Sequence, residues 1–182
     1  GGDGVSWHDP LNWTADSGYP NDATKTATID VETQDIYISE ALTIGALKLG
    51  SNLKGTLTLD YDLMVSNDMD IHKTARATFA EGQEASLTVG GTLTVHEGGT
   101  LSCPYTDLTT TDANGDAIGK GRVITAGNID IRRGGLIEAD GKGFGKTEGP
   151  GSGGSGDGGS HGGRGKDYLD DGTAGSTYGS LT

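Results

Sequence analysis

The chain has 182 residues, 34 of them glycine, and 13 lysines and arginines stand against 26 aspartates and glutamates, a formal net charge of −13. That balance excludes the basic footprint which nucleic-acid backbones and anionic membrane surfaces require, and it suits cations, salty surroundings and uncharged polysaccharide. The single Cys103 excludes an internal disulfide framework, and no apolar run approaches the roughly 20 residues of a membrane helix.

The opening Gly1-Gly-Asp-Gly lacks an initiator Met and the closing Tyr178-Gly-Ser-Leu-Thr has no helical character, so both ends read as cuts in a longer protein. Residues 1–35 form a first unit. Both tryptophans (Trp7, Trp13) and the first two prolines (Pro10, Pro20) fall there, ahead of an alternating strand at Ala27-Thr-Ile-Asp-Val. Two indoles in so short a stretch predict a cap over the open edge of the structure that follows. The alternative for the same indoles is an aromatic sugar-binding platform.

From 36 to 102 the alternation is nearly continuous, and Gly or Asn corners interrupt it every few residues. Three segments repeat: Asn67-Asp-Met-Asp-Ile-His-Lys-Thr-Ala-Arg-Ala, Gly91-Thr-Leu-Thr-Val-His-Glu-Gly-Gly-Thr-Leu and Gly127-Asn-Ile-Asp-Ile-Arg-Arg-Gly-Gly-Leu-Ile. Laid over one another, they align Met69 with Leu93 and Ile129, Ile71 with Val95 and Ile131, and Ala77 with Leu101 and Ile137. Leu47 and Leu49 fit one unit earlier. Repeats of this length mark coils that cannot bury their own apolar face and must stack on the next. No helical periodicity competes. The fold expected is all-β, a parallel β-helix (β-solenoid) over residues 36–140.

The first repeat step is 24 residues and the second 36; residues 103–121, polar and loop-like, account for the difference. Such insertions project from one side of a solenoid and often carry its function. From 141 to 182 glycine dominates, and Gly153, Gly156, Gly159, Gly162 and Gly165 recur at a period of three. That spacing suits an ordered, extended, closely packed segment rather than a flexible linker.

The phrases "GNIDIRRGGLIEADGKGFGK", "GPGSGGSGDGGSHGGRG" and "YGSL", together with the opening "DGVSWHDPLNW", resemble the glycine-rich, right-handed parallel β-helix modules of large secreted or surface bacterial proteins. The resemblance covers about 28 residues at the start and 55 at the end. It implies a secreted or cell-surface location and a structural, adhesive or polysaccharide-associated role; the function expected from the whole sequence is a structural or adhesive building block of a surface fibre or filament. Its partners would be further copies or neighbouring domains of a longer chain. It brings no catalytic residues.

Among candidate sites, Asp112, Asn114 and Asp116 place oxygen donors around a Gly turn, as a calcium site requires, though a plain Asx turn has the same composition. Asp167, Asp170 and Asp171 form a second acidic cluster. Asp60, Asp62, Asp68 and Asp70 read as a solvated face. His72 and His96 occupy equivalent coil positions and should stack, but the next residue in that column is Arg132, so a metal would lack a third ligand. Polysaccharide binding, or cleavage by a lyase or hydrolase, is the alternative function. Its carboxylates would come from Asp130, Glu138 and Asp140, which the sequence does not bring together.

Overall fold

The structure is a computed structural model that describes residues 5–14, 18–32, 35–105, 111 and 121–140. The chain divides into two compact units, one of Gly1–Thr106 with Gly121–Asp140 and one of Asp107–Lys120 with Gly141–Thr182. Every strand named here belongs to the first. The glycine period at 153–165, the acidic clusters at 112–116 and 167–171, and His161 lie outside the described residues.

Among the described residues twelve strands follow one another: β1 (Thr26–Ile29), β2 (Ile36–Ile38), β3 (Leu42–Ile44), β4 (Ala46–Leu49), β5 (Thr56–Leu59), β6 (Leu63–Val65), β7 (Met69–Ile71), β8 (Arg76–Phe79), β9 (Ser86–Val95), β10 (Thr100–Ser102), β11 (Val123–Ile131) and β12 (Leu136–Glu138). Every pairing is parallel. One sheet runs β2-β5-β8-β10-β12; the other joins β1-β4-β7 and β3-β6 through the long β9, which in turn pairs with β11. The domain is a parallel β-solenoid, and the only helix among the described residues is a 3-10 turn at Pro10–Asn12.

Parallel pairing from turn to turn stacks like on like. Ala27, Leu47, Met69, Leu93 and Ile129 form one inward column, and Ile29, Leu49, Ile71, Val95 and Ile131 the next. Leu57, Ala77, Leu101 and Ile137 line the opposite sheet. Most of these side chains are fully buried, from Leu47 and Leu57 through Leu93 and Leu101. Each buried Leu, Ile or Val contributes about 1.5–3 kcal/mol relative to exposure, so the columns are the main source of stability.

The strand ends carry a second periodicity. Asp30 Oδ1 accepts from the Asn52 amide at 2.8 Å, Asp35 from Thr56 at 2.9 Å, Asp62 from Ser86 at 2.8 Å and Asp68 from Thr92 at 2.7 Å. The separations are 22, 21, 24 and 24 residues, one turn in each case. These exposed carboxylates therefore each satisfy a backbone amide on the turn above: the first amide of β5 at Thr56 and of β9 at Ser86, one within β9 at Thr92, and one in the turn after β4 at Asn52. Asp62 also accepts from the Ser86 hydroxyl at 2.8 Å. We expect Asp62→Ala to cost about 1 kcal/mol in urea unfolding, and Asp62→Asn, which keeps an acceptor oxygen, to cost less.

Near the start, Val5–Trp7 runs along β2, at the edge of the β2-β5-β8-β10-β12 sheet. Trp7 donates its amide to the Tyr37 carbonyl at 3.1 Å, and Tyr37 returns its own to Val5 at 3.0 Å. The Trp7 ring is fully buried and its Nε1 donates to the Pro20 carbonyl at 3.0 Å. Trp13 packs edge-on against it, centroids 4.7 Å apart, and donates Nε1 to the Trp7 carbonyl at 2.8 Å. Both indole N–H groups are thus spent inside the fold, and Trp7 has no face left for a sugar ring.

Candidate functional site: an outward histidine column

Residues two apart on a strand share a face, and parallel stacking puts equivalent residues one rung apart. Lys48, Asp70, Thr94 and Asp130 therefore form one outward column. Two residues further along, Gly50, His72, His96 and Arg132 form its neighbour. His72 N donates to Leu49 O, His96 N to Ile71 O and Arg132 N to Val95 O, each at 2.8 or 2.9 Å.

The two imidazoles stack as the sequence alignment anticipates, with ring centroids 4.1 Å apart and planes within 10°. The sequence reading does not anticipate what lies beside them. Asp70 Oδ1 approaches His96 Nε2 to 2.8 Å, a diagonal contact between one turn and the next. Thr94, directly above Asp70, is short enough to leave that diagonal open. Asp70, His72 and His96 each offer one ligand atom, and the three atoms lie within 4.8 Å of one another. All three residues are half-buried.

Burial holds the His72 imidazole below its usual protonation range, and the neighbouring His96 and Lys48 push the same way; Asp70 and Asp30 oppose them. A lowered histidine pKa favours the neutral ring at neutral pH, and only the neutral ring has a lone pair to give. Arg132, which closes the column, is engaged by Asp130 at 2.7 Å.

No known family model, characterised protein or solved structure matches this chain. What the site can do therefore rests on its own geometry.

Asp112, Asn114 and Asp116 fall outside the described residues. Of the carboxylates considered for polysaccharide cleavage, Asp130 and Glu138 stand on different sheets. Asp130 lies in β11 and pairs with Arg132, whereas Glu138 lies in β12 of the other sheet and accepts from Ser102 Oγ at 3.2 Å. The foot of the insertion is anchored instead by Arg122. Its guanidinium donates to the carbonyls of Gln83, Ala80, Tyr105 and Pro104 and sits 5.2 Å from the centre of the Phe79 ring. Cys103 beside it is half-buried, and burial pushes its thiol above the usual range, away from the thiolate that nucleophilic chemistry needs. No helix among the described residues is long and apolar enough to cross a membrane.

Proposed function

We propose that this chain is a structural or adhesive segment of an extracellular β-solenoid, a building block that joins to its neighbours through the end of its stack. The observation that carries the proposal is the last described turn. The columns that are fully buried at Leu93 and Val95 emerge at Ile129 and Ile131 with 46% and 50% of their surface exposed. Among the described residues β11 pairs only with β9 and β12 only with β10. An open parallel edge over an apolar face accepts another strand layer, from a further coil or from a second copy. The bacterial surface modules that the sequence resembles support the extracellular setting.

Sedimentation velocity over a concentration series tests this reading. We expect the average mass of the wild-type chain to rise with concentration, and the double variant Ile129→Glu/Ile131→Glu to remain monomeric throughout. A wild-type chain that stays monomeric at every concentration overturns the self-association reading.

A further inference from the structure

We propose that Asp70, His72 and His96 form a surface site for a divalent transition-metal ion of the zinc type, bridging two successive turns of the solenoid. The donor set decides the class of ion. Two imidazoles and one carboxylate suit Zn²⁺, and also Cu²⁺ or Ni²⁺, whereas Ca²⁺ and Mg²⁺ want oxygen ligands throughout. Three protein ligands with a fourth position left to water is a common zinc arrangement.

The distances are within reach of that arrangement. Ligand atoms bound at about 2.0–2.1 Å to one tetrahedral ion lie roughly 3.3 Å apart. The Asp70 Oδ1 to His96 Nε2 contact of 2.8 Å needs to open by about half an ångström on that geometry. The ion takes the place of the proton that now bridges those atoms, and that proton moves to the other ring nitrogen or to solvent. Because the rings are parallel, their in-plane lone pairs do not yet converge, and His72 must turn about its side-chain torsions to complete the set. Both rings are half-buried and reach solvent on their outer side, which leaves His72 room to change rotamer.

Electrostatics set the conditions. Asp70 and Asp30 attract a cation to the column, and Lys48 one rung below opposes it. Arg132 above is already neutralised by Asp130. The backbone supports the site as well, since His72 and His96 follow directly on β7 and β9 and the pairing of those strands fixes the rung spacing. An ion held by residues of both turns links them, and binding to the folded chain alone raises its stability.

The test is isothermal titration of the full chain with Zn²⁺ at pH 7.5, with Ca²⁺ as comparison, backed by thermal melts and by Co²⁺ absorption. We expect one Zn²⁺ per chain, a higher melting temperature with Zn²⁺, and the intense visible bands of four-coordinate Co²⁺. His96→Gln and His72→Gln should each weaken Zn²⁺ by about 100-fold and Asp70→Asn by at least about 10-fold. Lys48→Met should strengthen it a few-fold, an effect that loss of folding cannot imitate. The proposal is overturned if wild type shows no saturable Zn²⁺ binding, if the histidine variants bind as wild type does, or if Ca²⁺ competes on equal terms. It does not depend on self-association, because a monomeric chain carries the whole site.

Discussion

Leu93→Ala is expected to lower folding stability by about 3–4 kcal/mol, which corresponds to a fall in melting temperature of roughly 10 °C for a domain of this size. Leu93 is fully buried between Met69 below and Ile129 above, in the middle of its column. Truncation of a buried leucine removes its transfer free energy and leaves a cavity, and the cost depends on how far the surroundings collapse. Here they collapse little. Backbone hydrogen bonds fix the rungs at about 4.8 Å, so the turns above and below cannot close on the void. Ile129→Ala, one rung further on, should cost under about 1.5 kcal/mol, since 46% of that side chain is already exposed. The contrast follows from a stack in which each turn contacts only its neighbours. Equal losses at the two positions would show that β11 is covered in solution and would remove the basis for an adhesive end. Chemical denaturation with both variants decides it.

The inward columns were legible in the sequence because a parallel solenoid makes alignment and register the same thing. Met69, Leu93 and Ile129 align as letters and pair as strands. So do Ala77, Leu101 and Ile137. The 36-residue step was legible as well, since the added chain falls between the end of β10 at Ser102 and the start of β11 at Val123. Earlier turns were harder to read. Ile36, Leu57 and Ala77 share a column at steps of 21 and 20 residues without any recurring phrase, so only alternation marked them. The second role of the acidic residues was illegible for a related reason. Asp62 and Asp68 lie on the solvated face, and a carboxylate one turn away from the amide it serves has no local sequence signal.

The histidine site shows the same limit from another side. Column reasoning predicted the His72–His96 stack and then looked for a third ligand in that column, where Arg132 stands. The third ligand is in the adjacent column, two residues before His72, and meets His96 diagonally. Alternation alone places Asp70 on the same outward face as His72, and a short Thr94 above it was the cue. Diagonal neighbours on adjacent strands are within reach of long or ring side chains, so a search of a solenoid surface needs both the column and its diagonals.

Gly99→Val is expected to have an effect at least as large, about 3 kcal/mol or more, by overpacking where no cavity exists to absorb it. The turns that follow β7, β9 and β11 share one form. Ala75 N donates to His72 O, Gly99 N to His96 O and Gly135 N to Arg132 O, at 3.0, 2.9 and 2.8 Å. The third residue of each has positive φ: 69° at Thr74, 74° at Gly98 and 83° at Gly134, the demand of a type II turn. Thr74 is the exception in residue type, and its hydroxyl compensates by donating to the Ser51 carbonyl at 2.9 Å. At Gly99 the constraint is space. A Cβ there would stand 2.5 Å from Ile71 O, 3.0 Å from His72 O and 3.2 Å from His96 O, all backbone atoms that cannot swing aside. A Cβ at Gly121 would meet nothing within 4 Å, so Gly121→Ala should change stability by less than about 0.5 kcal/mol, which separates a packing effect from a general intolerance of side chains at glycine positions. The carbonyls that Gly99 admits belong to the residues that end β7 and carry His72. Forcing them apart therefore widens the rung on which the two imidazoles stack. A milder variant, Gly99→Ala, should accordingly weaken Zn²⁺ binding even where the chain still folds. A Gly99→Ala chain that melts lower yet binds Zn²⁺ as wild type does would show that the turn sets stability without setting the geometry of the site.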